Sequence, residues 1–292
     1  MTAVLRKLLE KNEMLVLPGA YDALIAKIIE KAGFEAMCTT GFGIAGSMLG
    51  KPDVGLYTMT ESLECHRAIA NAVTIPVLAD ADNGHGNAIN VMRMISEFEK
   101  AGIAGVYMED QVSPKRCGRV IRKEQARTKE VVSMDEMIGK IKAAVEARDD
   151  PDFVIVARSD AELISRDEVI KRLTNYRKAG ADLVMPICHT VEDYSFYPKN
   201  VDAPLLTHIS TLEMKLTANE IREMGYKVCM FPLSATWVVT KAVLDLMRDL
   251  KAKGETREYL QKIDAVSMEE FFDFIGLPAY KKLEDSFLPL NL

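Results

Sequence analysis

One cysteine of this chain lies among cationic side chains, in the segment Lys115-Arg116-Cys117-Gly118-Arg119. Neighbouring positive charge favours the thiolate, so such a thiol can give up and take back a proton near neutral pH. Most cysteines without a function are small buried fillers, but the stretch from Gln111 to Lys129 is polar and basic. We therefore predict that Cys117 is a catalytic acid or base, and we count Lys115 with it.

Two aspartates, Asp80 and Asp82, directly follow a short apolar run that is typical of a strand. Carboxylates this close repel each other unless a cation or a proton lies between them. Their oxygens suit Mg²⁺, or Mn²⁺ in its place. We predict a metal site here, to which Glu109 at the end of the next strand contributes through water. A solvated capping turn is the alternative for the aspartates, and a salt bridge to Lys115 or Arg116 is the alternative for Glu109.

An arginine, Arg158, ends the run Val154-Ile155-Val156-Ala157. A guanidinium at a strand end can grip a substrate carboxylate through two parallel hydrogen bonds. We predict a catalytic role for it, with an internal salt bridge to Asp80, Asp82 or Asp160 as the alternative.

The segment Thr40-Gly41-Phe42 follows another strand and offers backbone N–H groups that can hold an anion. A glycine turn that only bends the chain is the alternative. Later strands also end in polar residues, among them His208, Ser210 and Ser234. In a barrel of parallel strands the site lies at the carboxyl ends, so these residues share one rim.

Short apolar runs alternate with amphipathic helical patterns along the chain. The strands are predicted at 14–17, 36–40, 76–79, 105–108, 153–157, 183–185, 205–207 and 228–231, and the helices at 20–31, 59–72, 89–100, 134–148, 166–178 and 218–224. Glycines at 33, 102, 180 and 225 each close a helix before an apolar run, as expected of repeated βα units. The pattern predicts an α/β fold, a (β/α)8 barrel of the TIM type. A doubly wound open sheet is the alternative, although no G-x-G-x-x-G follows the first strand.

Composition sets limits on the class of protein. The 292 residues carry 37 lysines and arginines against 43 aspartates and glutamates, a formal net charge of −6. That balance, with no basic stripe, argues against nucleic-acid binding. Five widely spaced cysteines and the lack of a long apolar run or signal-peptide core predict a cytoplasmic protein with no membrane partner.

Several motifs together resemble the isocitrate lyase / phosphoenolpyruvate mutase superfamily, and the lyase branch in particular. They occur in the expected order over nearly the whole chain: Gly33-Phe34-Glu35-Ala36, Thr40-Gly41, Pro52-Asp53, Asp80-Ala81-Asp82-Asn83-Gly84-His85-Gly86, Glu109-Asp110-Gln111, Lys115-Arg116-Cys117-Gly118, Val156-Ala157-Arg158-Ser159-Asp160 and Pro232-Leu233-Ser234-Ala235.

The resemblance implies a (β/α)8 catalytic domain over 1–250 and a C-terminal helical extension over 251–292. The extension is expected to pack on a neighbouring subunit or on the barrel, with helices exchanged in a homotetramer. It also implies Mg²⁺ near Asp80 and Asp82, a 2-hydroxy or 2-oxo carboxylate as the small-molecule partner, and Cys117 as proton donor.

Residues on these motifs, at strand ends or at positions compared with the family are assigned to the substrate site: Thr40, Gly41, Phe42, Asp53, Gly118, Arg119, Ile187, His208, Ser210 and Ser234. Methylisocitrate lyases usually carry histidine, glutamate and asparagine where this chain has Arg119, Ile187 and His208. An apolar Ile187 favours a substrate with a methyl group.

We therefore expect a Mg²⁺-dependent lyase that cleaves an alkylmalate, such as 2,3-dimethylmalate, to pyruvate and propionate. Methylisocitrate cleavage, oxaloacetate hydrolysis and carboxyphosphonoenolpyruvate mutation are alternatives on the same fold. A barrel that binds a dicarboxylate without catalysis is an alternative of a different class.

Overall fold

The computed structural model describes residues 1–116, 130–210 and 214–289. Three predicted site residues, Cys117, Gly118 and Arg119, lie outside these ranges.

Eight parallel strands form the centre of the fold, as predicted. They are β1 (Leu15–Ala20), β2 (Met37–Thr39), β3 (Val77–Asp80), β4 (Gly105–Glu109), β5 (Val154–Ser159), β6 (Leu183–Pro186), β7 (Leu206–His208) and β8 (Val228–Phe231). Their hydrogen-bonded order is β6-β5-β4-β3-β2-β1-β8-β7. A parallel bridge between Val184 and Leu205 joins the two ends of this sheet. The fold is therefore a (β/α)8 barrel, and the open sheet is excluded.

Helices connect the strands and continue beyond the last one. They are α1 (Thr2–Glu10), α2 (Ala23–Lys31), α3 (Gly41–Ile44), α4 (Met59–Ala72), α5 (Ala88–Lys100), α6 (Met134–Ala147), α7 (Arg166–Lys178), α8 (Val191–Asn200), α9 (Ala218–Glu223), α10 (Ser234–Lys253), α11 (Arg257–Lys262), α12 (Met268–Ile275) and α13 (Leu277–Phe287). The six predicted helices are present, while α1, α3, α8 and α10 were not predicted. A proline at 198 lies inside α8, and proline argues against a helix on sequence grounds.

Glycines reverse the chain between helix and strand where the sequence indicated. Gly33, Gly102, Gly180 and Gly225 all have positive φ, between 89° and 112°. That conformation suits glycine because it has no Cβ to clash with the backbone. The repeated turn brings each following strand into the barrel in the same direction.

The core has two parts. A larger cluster lies between strands and helices, and includes Phe98, Phe153 and Tyr176. A smaller cluster joins strand residues such as Leu17 to Leu5 and Leu8 of α1. The Arg6 side chain on the same helix donates to the carbonyls of residues 151–153, which precede β5. Helix α1 therefore closes the amino-terminal end of the barrel and leaves the carboxyl end for the site.

Contacts between Cα atoms divide the chain into two units, Met1–Thr236 and Trp237–Leu292. The first holds the barrel, and the second holds most of α10 together with α11 to α13. The division at residue 250 and the exchange of helices between subunits stay predictions. Within the described ranges, the helices are too short or too polar to cross a bilayer.

Candidate active site

Asp80 is fixed at the end of β3 by neighbouring backbone and side-chain groups. Its backbone N–H donates to Thr39 Oγ1 at 2.8 Å. Its carboxylate accepts from the N–H of Gly41 at 2.7 Å and from that of Asp82 at 3.1 Å. Two amides therefore orient the carboxylate that the sequence predicted as a metal ligand.

Gly41 lies against the acidic groups so closely that no side chain fits. A Cβ there would lie 2.6 Å from Tyr57 Oη, 2.9 Å from Asp80 Oδ2 and 3.2 Å from Asp82 Oδ1. Two amides of the predicted anion cradle already have partners within the protein: that of Gly41 binds Asp80, and that of Thr40 donates to Ala20 O at 3.1 Å. A substrate contact by the 40–42 segment stays a prediction.

One buried ammonium, that of Lys115, balances three carboxylates. Its Nζ lies 3.0 Å from Asp53 Oδ2 and 3.9 Å from Glu109 Oε1, and it also contacts Asp82 Oδ1. Burial by itself lowers the pKa of Lys115, but the carboxylates outweigh that effect and hold the pKa well above its usual value. The lysine is therefore a permanent cation, and the alternative of a salt bridge between Glu109 and Lys115 is present in the structure.

The acids of this cluster differ in how strongly they hold a proton. Burial raises the pKa of Asp53 to about 6 and that of Glu109 to about 8, against the opposing charges of Lys115 and Arg158. Burial also acts to raise the pKa of Asp82, but Lys115 outweighs it and the pKa is lowered. The arrangement keeps Asp82 ionised and leaves the other two able to exchange protons.

Arg158 forms ion pairs within the protein. One of them, with Asp160, is the internal salt bridge given above as the alternative to a catalytic role. Its Nε and Nη2 donate to the two carboxylate oxygens of Asp160 at 2.8 and 2.9 Å, and its Nη1 lies 2.8 Å from Glu109 Oε2.

The Gln111 amide bridges the same two acids, Glu109 and Asp160, donating at 2.9 Å to Glu109 Oε1 and at 2.6 Å to Asp160 Oδ2. Gln111 Oε1 accepts from the N–H of Arg116 at 3.0 Å. The role of Gln111 was missed, although it directly follows Glu109-Asp110.

The remaining predicted residues occupy the carboxyl ends of the later strands. Ile187 directly follows β6 and is buried, and His208 ends β7. Ser210 lies two residues further on and is half-buried, while Ser234 begins α10 and is exposed. Whether any of these four contacts substrate stays a prediction.

A cavity of about 280 Å³ opens beside Lys115 and Asp82. Its other lining residues come mainly from the segment before α4 and from the turn after β3: Gly55, Tyr57, Thr58, Met59, Asn83, His85 and Ser113. Tyr57 and His85 were not predicted to be site residues, because neither follows a strand directly.

The donor set fits a hard cation that keeps part of its water. Among the described residues, no three histidine, cysteine, aspartate or glutamate side chains lie close enough to bind a metal alone. Mg²⁺ commonly uses one or two carboxylates with water and substrate oxygens. Asp80, Asp82 and Glu109 offer such oxygens, and Asp53 Oδ1 is buried without a hydrogen bond to any described group. The residues are therefore compatible with Mg²⁺.

Comparisons with known proteins identify relatives of the chain. The family model described as phosphoenolpyruvate phosphomutase matches residues 5–251. A 2,3-dimethylmalate lyase of Eubacterium barkeri is 41% identical, with 98% of this chain and 97% of that protein covered. A 2-methylisocitrate lyase of Aeropyrum pernix is 38% identical, with 96% and 88% covered. A structure of phosphonopyruvate hydrolase with oxalate and Mg²⁺ superimposes with a TM-score of 0.89 at 29% identity, covering 99% of both chains.

The fold and the buried acidic cluster define an enzyme built on a (β/α)8 barrel. The chain belongs to the phosphoenolpyruvate mutase / isocitrate lyase superfamily, and its lyase relatives place it with the enzymes that cleave a carbon–carbon bond. The resemblance inferred from the motifs is confirmed.

Proposed function

We propose that the enzyme cleaves a 2-hydroxy dicarboxylate of the alkylmalate type into a 2-oxo acid and a shorter carboxylic acid. The observation that carries this proposal is the set of buried acids around Lys115, next to the paired Arg158, at the carboxyl end of the barrel. Such a site has the charges needed to bind a dianionic substrate and a divalent cation together.

Asp80, Asp82 and Glu109 would hold Mg²⁺, with Mn²⁺ as a substitute. When bound, the ion would lower the pKa of the substrate's 2-hydroxyl and stabilise the developing oxo acid as a Lewis acid. Lys115 would keep Asp82 ionised for this role, because its charge lowers the pKa of that carboxyl.

The reaction needs one proton removed and one proton added. The 2-hydroxyl loses its proton and becomes the carbonyl of the 2-oxo acid while the C2–C3 bond breaks. The electron pair of that bond moves onto C3, beside the second carboxylate, and a proton then adds to C3. For 2,3-dimethylmalate the products are pyruvate and propionate.

Arg158 would stabilise the negative charge that develops on the departing carboxylate. Its described ion pairs use one N–H group of Nη1 and one N–H group of Nη2. Each of these terminal nitrogens carries two N–H groups. The salt bridges to Asp160 and Glu109 fix the plane of the guanidinium, which prepares it for a carboxylate in a defined orientation.

Cys117 would donate the proton to C3. This assignment comes from the sequence, since the residue lies outside the described ranges. Loss of a general acid slows catalysis by roughly 10²- to 10⁴-fold, and Cys117→Ser is expected to lose that much turnover.

The alkylmalate substrate is favoured by the apolar Ile187 at the end of β6 and by the 41% identity to a 2,3-dimethylmalate lyase. We also propose a homotetramer with exchanged C-terminal helices, on the sequence resemblance alone, and a cytoplasmic location, on the cysteine content and the lack of a long apolar run or signal-peptide core.

A substrate panel tests the proposal. Alkylmalates, methylisocitrate, isocitrate and oxaloacetate are each incubated with enzyme and Mg²⁺, and the products are identified. The proposal expects pyruvate and propionate from 2,3-dimethylmalate at the highest kcat/KM. Succinate from methylisocitrate as the best reaction, oxalate and acetate from oxaloacetate, or no product from any compound would each contradict it.

A further inference from the structure

The turn that carries Asp82 has an unfavourable backbone conformation. Asp82 and His85 have φ of 47° and 55°, in the left-handed region that side chains other than that of glycine rarely adopt. Gly84 and Gly86 in the same turn have φ of 83° and 145°. Such a conformation persists only where surrounding groups hold it.

Hydrogen bonds from backbone and side-chain groups hold this turn. The N–H of Gly84 donates to Ala81 O at 2.8 Å, the N–H of Glu109 donates to Asp82 O at 2.8 Å, and the N–H of Asp82 donates to Asp80 Oδ1 at 3.1 Å. A further bond comes from a helix side chain, since Lys140 Nζ donates to Asn83 O at 3.1 Å. This last bond links a helix on the outside of the barrel to the residue that follows Asp82.

Lys140 is an unusual residue for its place. It lies on α6, which packs against α5, and its side chain is only 3% exposed. A buried ammonium is costly unless it is paired, yet its carboxylate neighbour Glu136 lies 3.7 Å away and is half exposed. Burial lowers the pKa of Lys140, and the Glu136 carboxylate opposes that effect. Its shortest described contact is the carbonyl of Asn83.

We infer that Lys140 is a positioning residue, which fixes the 82–86 turn from the outer helix layer and thereby sets the place of the Asp82 carboxylate. The inference rests on the proposed function only in that Asp82 is given a use there, namely cation binding. The described contacts of the Lys140 ammonium are with Asn83 O and Glu136, so Lys140 acts on Asp82 through the backbone of Asn83.

Two variants on one helix test the inference. Lys140→Met keeps the length and apolar stem of the side chain and removes the donor. Lys142→Met removes the same charge from an exposed position of α6 and is the matched control. Lys140→Arg retains a cationic donor and tests rescue.

The first measurement is hydrogen exchange at the amides of Gly84 and Glu109, without added metal. Loss of the Lys140 bond is expected to speed exchange of these amides by roughly tenfold. The second measurement is the affinity for Mn²⁺, monitored by electron paramagnetic resonance. Loss of a group that supports a metal ligand weakens this affinity by roughly 10- to 100-fold. Lys142→Met is expected to match the unmodified protein in both, and Lys140→Arg to recover at least part of each loss.

Unchanged exchange in Lys140→Met would overturn the inference, as would faster exchange with unchanged Mn²⁺ affinity. Circular dichroism and urea unfolding separate these effects from global destabilisation. If Lys140→Met is not recovered folded, Lys140→Gln, whose amide is too short to reach Asn83 O, takes its place with the same expectations. Neither readout needs turnover, so failure of the proposed reaction is distinguished from failure of this inference.

Discussion

At the scale of single residues, the site is a set of acids gathered around two cations. Lys115 forms ion pairs with Asp82 and Asp53, while Arg158 forms ion pairs with Asp160 and Glu109. A buried charge without such a partner is strongly destabilising. The charged residues of the rim therefore depend on one another, and changes to their orientation affect the whole cluster.

The close approach of Gly41 to this cluster leads to a first prediction. Gly41→Ala places a Cβ within 3 Å of Tyr57 Oη and Asp80 Oδ2, so Asp80 must move. We expect kcat/KM to fall by at least tenfold and the free energy of unfolding to fall by about 1–3 kcal/mol, the usual cost of overpacking. Gly139→Ala on α6 is the control, because its Cβ would meet nothing within 4 Å. Equal activity in the two variants would contradict the crowding argument.

The amide of Gln111 gives a second prediction. Gln111→Leu removes the donor shared by Glu109 and Asp160 and the acceptor for the Arg116 amide. Steady-state kinetics should show kcat/KM reduced by roughly 10- to 100-fold, as for other groups that support ligands. Gln261→Leu, at an exposed position, should leave kinetics unchanged. A Gln111→Leu enzyme with normal kinetics would show that the two acids keep their places without the amide.

Residue types near the site were predictable, but their pairing was not. Asp80, Asp82, Glu109 and Arg158 follow strands, and that position alone places them on one rim. The bond of Gln111 to Asp160 joins residues 49 positions apart in the sequence. Nothing local in the sequence specifies such a contact, because it depends on the register between β4 and β5.

At the scale of elements, a chain of hydrogen bonds ties α4 to β2 and β3. His66 Nδ1 lies 2.7 Å from Ser62 O, so that nitrogen carries the proton. Its Nε2 then accepts from Thr39 Oγ1 at 2.8 Å, and Thr39 Oγ1 accepts from the N–H of Asp80. A neutral imidazole in the barrel wall thereby helps to fix the end of β3.

This neutral histidine predicts how stability depends on pH. Burial lowers the pKa of His66 in the folded state, whereas an unfolded histidine has a pKa of about 6.5. Below about pH 6.5 the unfolded chain binds a proton at this histidine that the folded protein does not bind. The contribution of His66 to the free energy of unfolding is therefore complete above that pH and is lost as the pH falls.

Urea unfolding between pH 7 and pH 5 measures this contribution. As the pH falls, the free energy of unfolding of the unmodified protein should decrease by up to about 1.4 kcal/mol per pH unit more than that of His66→Gln. His189→Gln, whose ring is half exposed, should follow the unmodified protein. Parallel curves for His66→Gln and the unmodified protein would mean that the folded protein and the unfolded chain bind a proton at His66 equally, and would contradict the lowered pKa.

The elements themselves were largely predictable. The strands are short and mostly apolar, and burial on both faces explains why apolar and polar residues do not alternate along them. Helix α3 was missed because it is only four residues long, Gly41–Ile44, and two of these are glycine. It forms because Thr40 caps it, with Oγ1 accepting from the N–H of Gly43 at 3.3 Å.

At the scale of the whole molecule, the barrel is closed at one end and carries the candidate site at the other. Helix α1 buries Leu5 and Leu8 with the interior strand residues, and Arg6 anchors it to the segment before β5. The sequence did not reveal this role, since a first helix that precedes all strands has no counterpart in the βα repeat.

Helix α1 provides the prediction at this scale. Leu5 is 2% exposed and the neighbouring Val4 is 44% exposed. Leu5→Ala should lower the free energy of unfolding by about 2–5 kcal/mol, the usual range for a buried leucine. Val4→Ala should change it by less than about 0.5 kcal/mol, as at most surface positions. Equal, small effects in urea unfolding would show that α1 does not close the barrel.

The most direct test of the proposed reaction is to run it in D₂O and follow it by NMR. With Mg²⁺ and 2,3-dimethylmalate, the enzyme should release pyruvate and propionate in equal amounts, with one deuteron on the carbon next to the propionate carboxylate. Added EDTA should stop the reaction, and excess Mg²⁺ should restore it. Unchanged substrate in the presence of Mg²⁺, or full turnover in EDTA, would contradict a cation-dependent cleavage of the C2–C3 bond at this site.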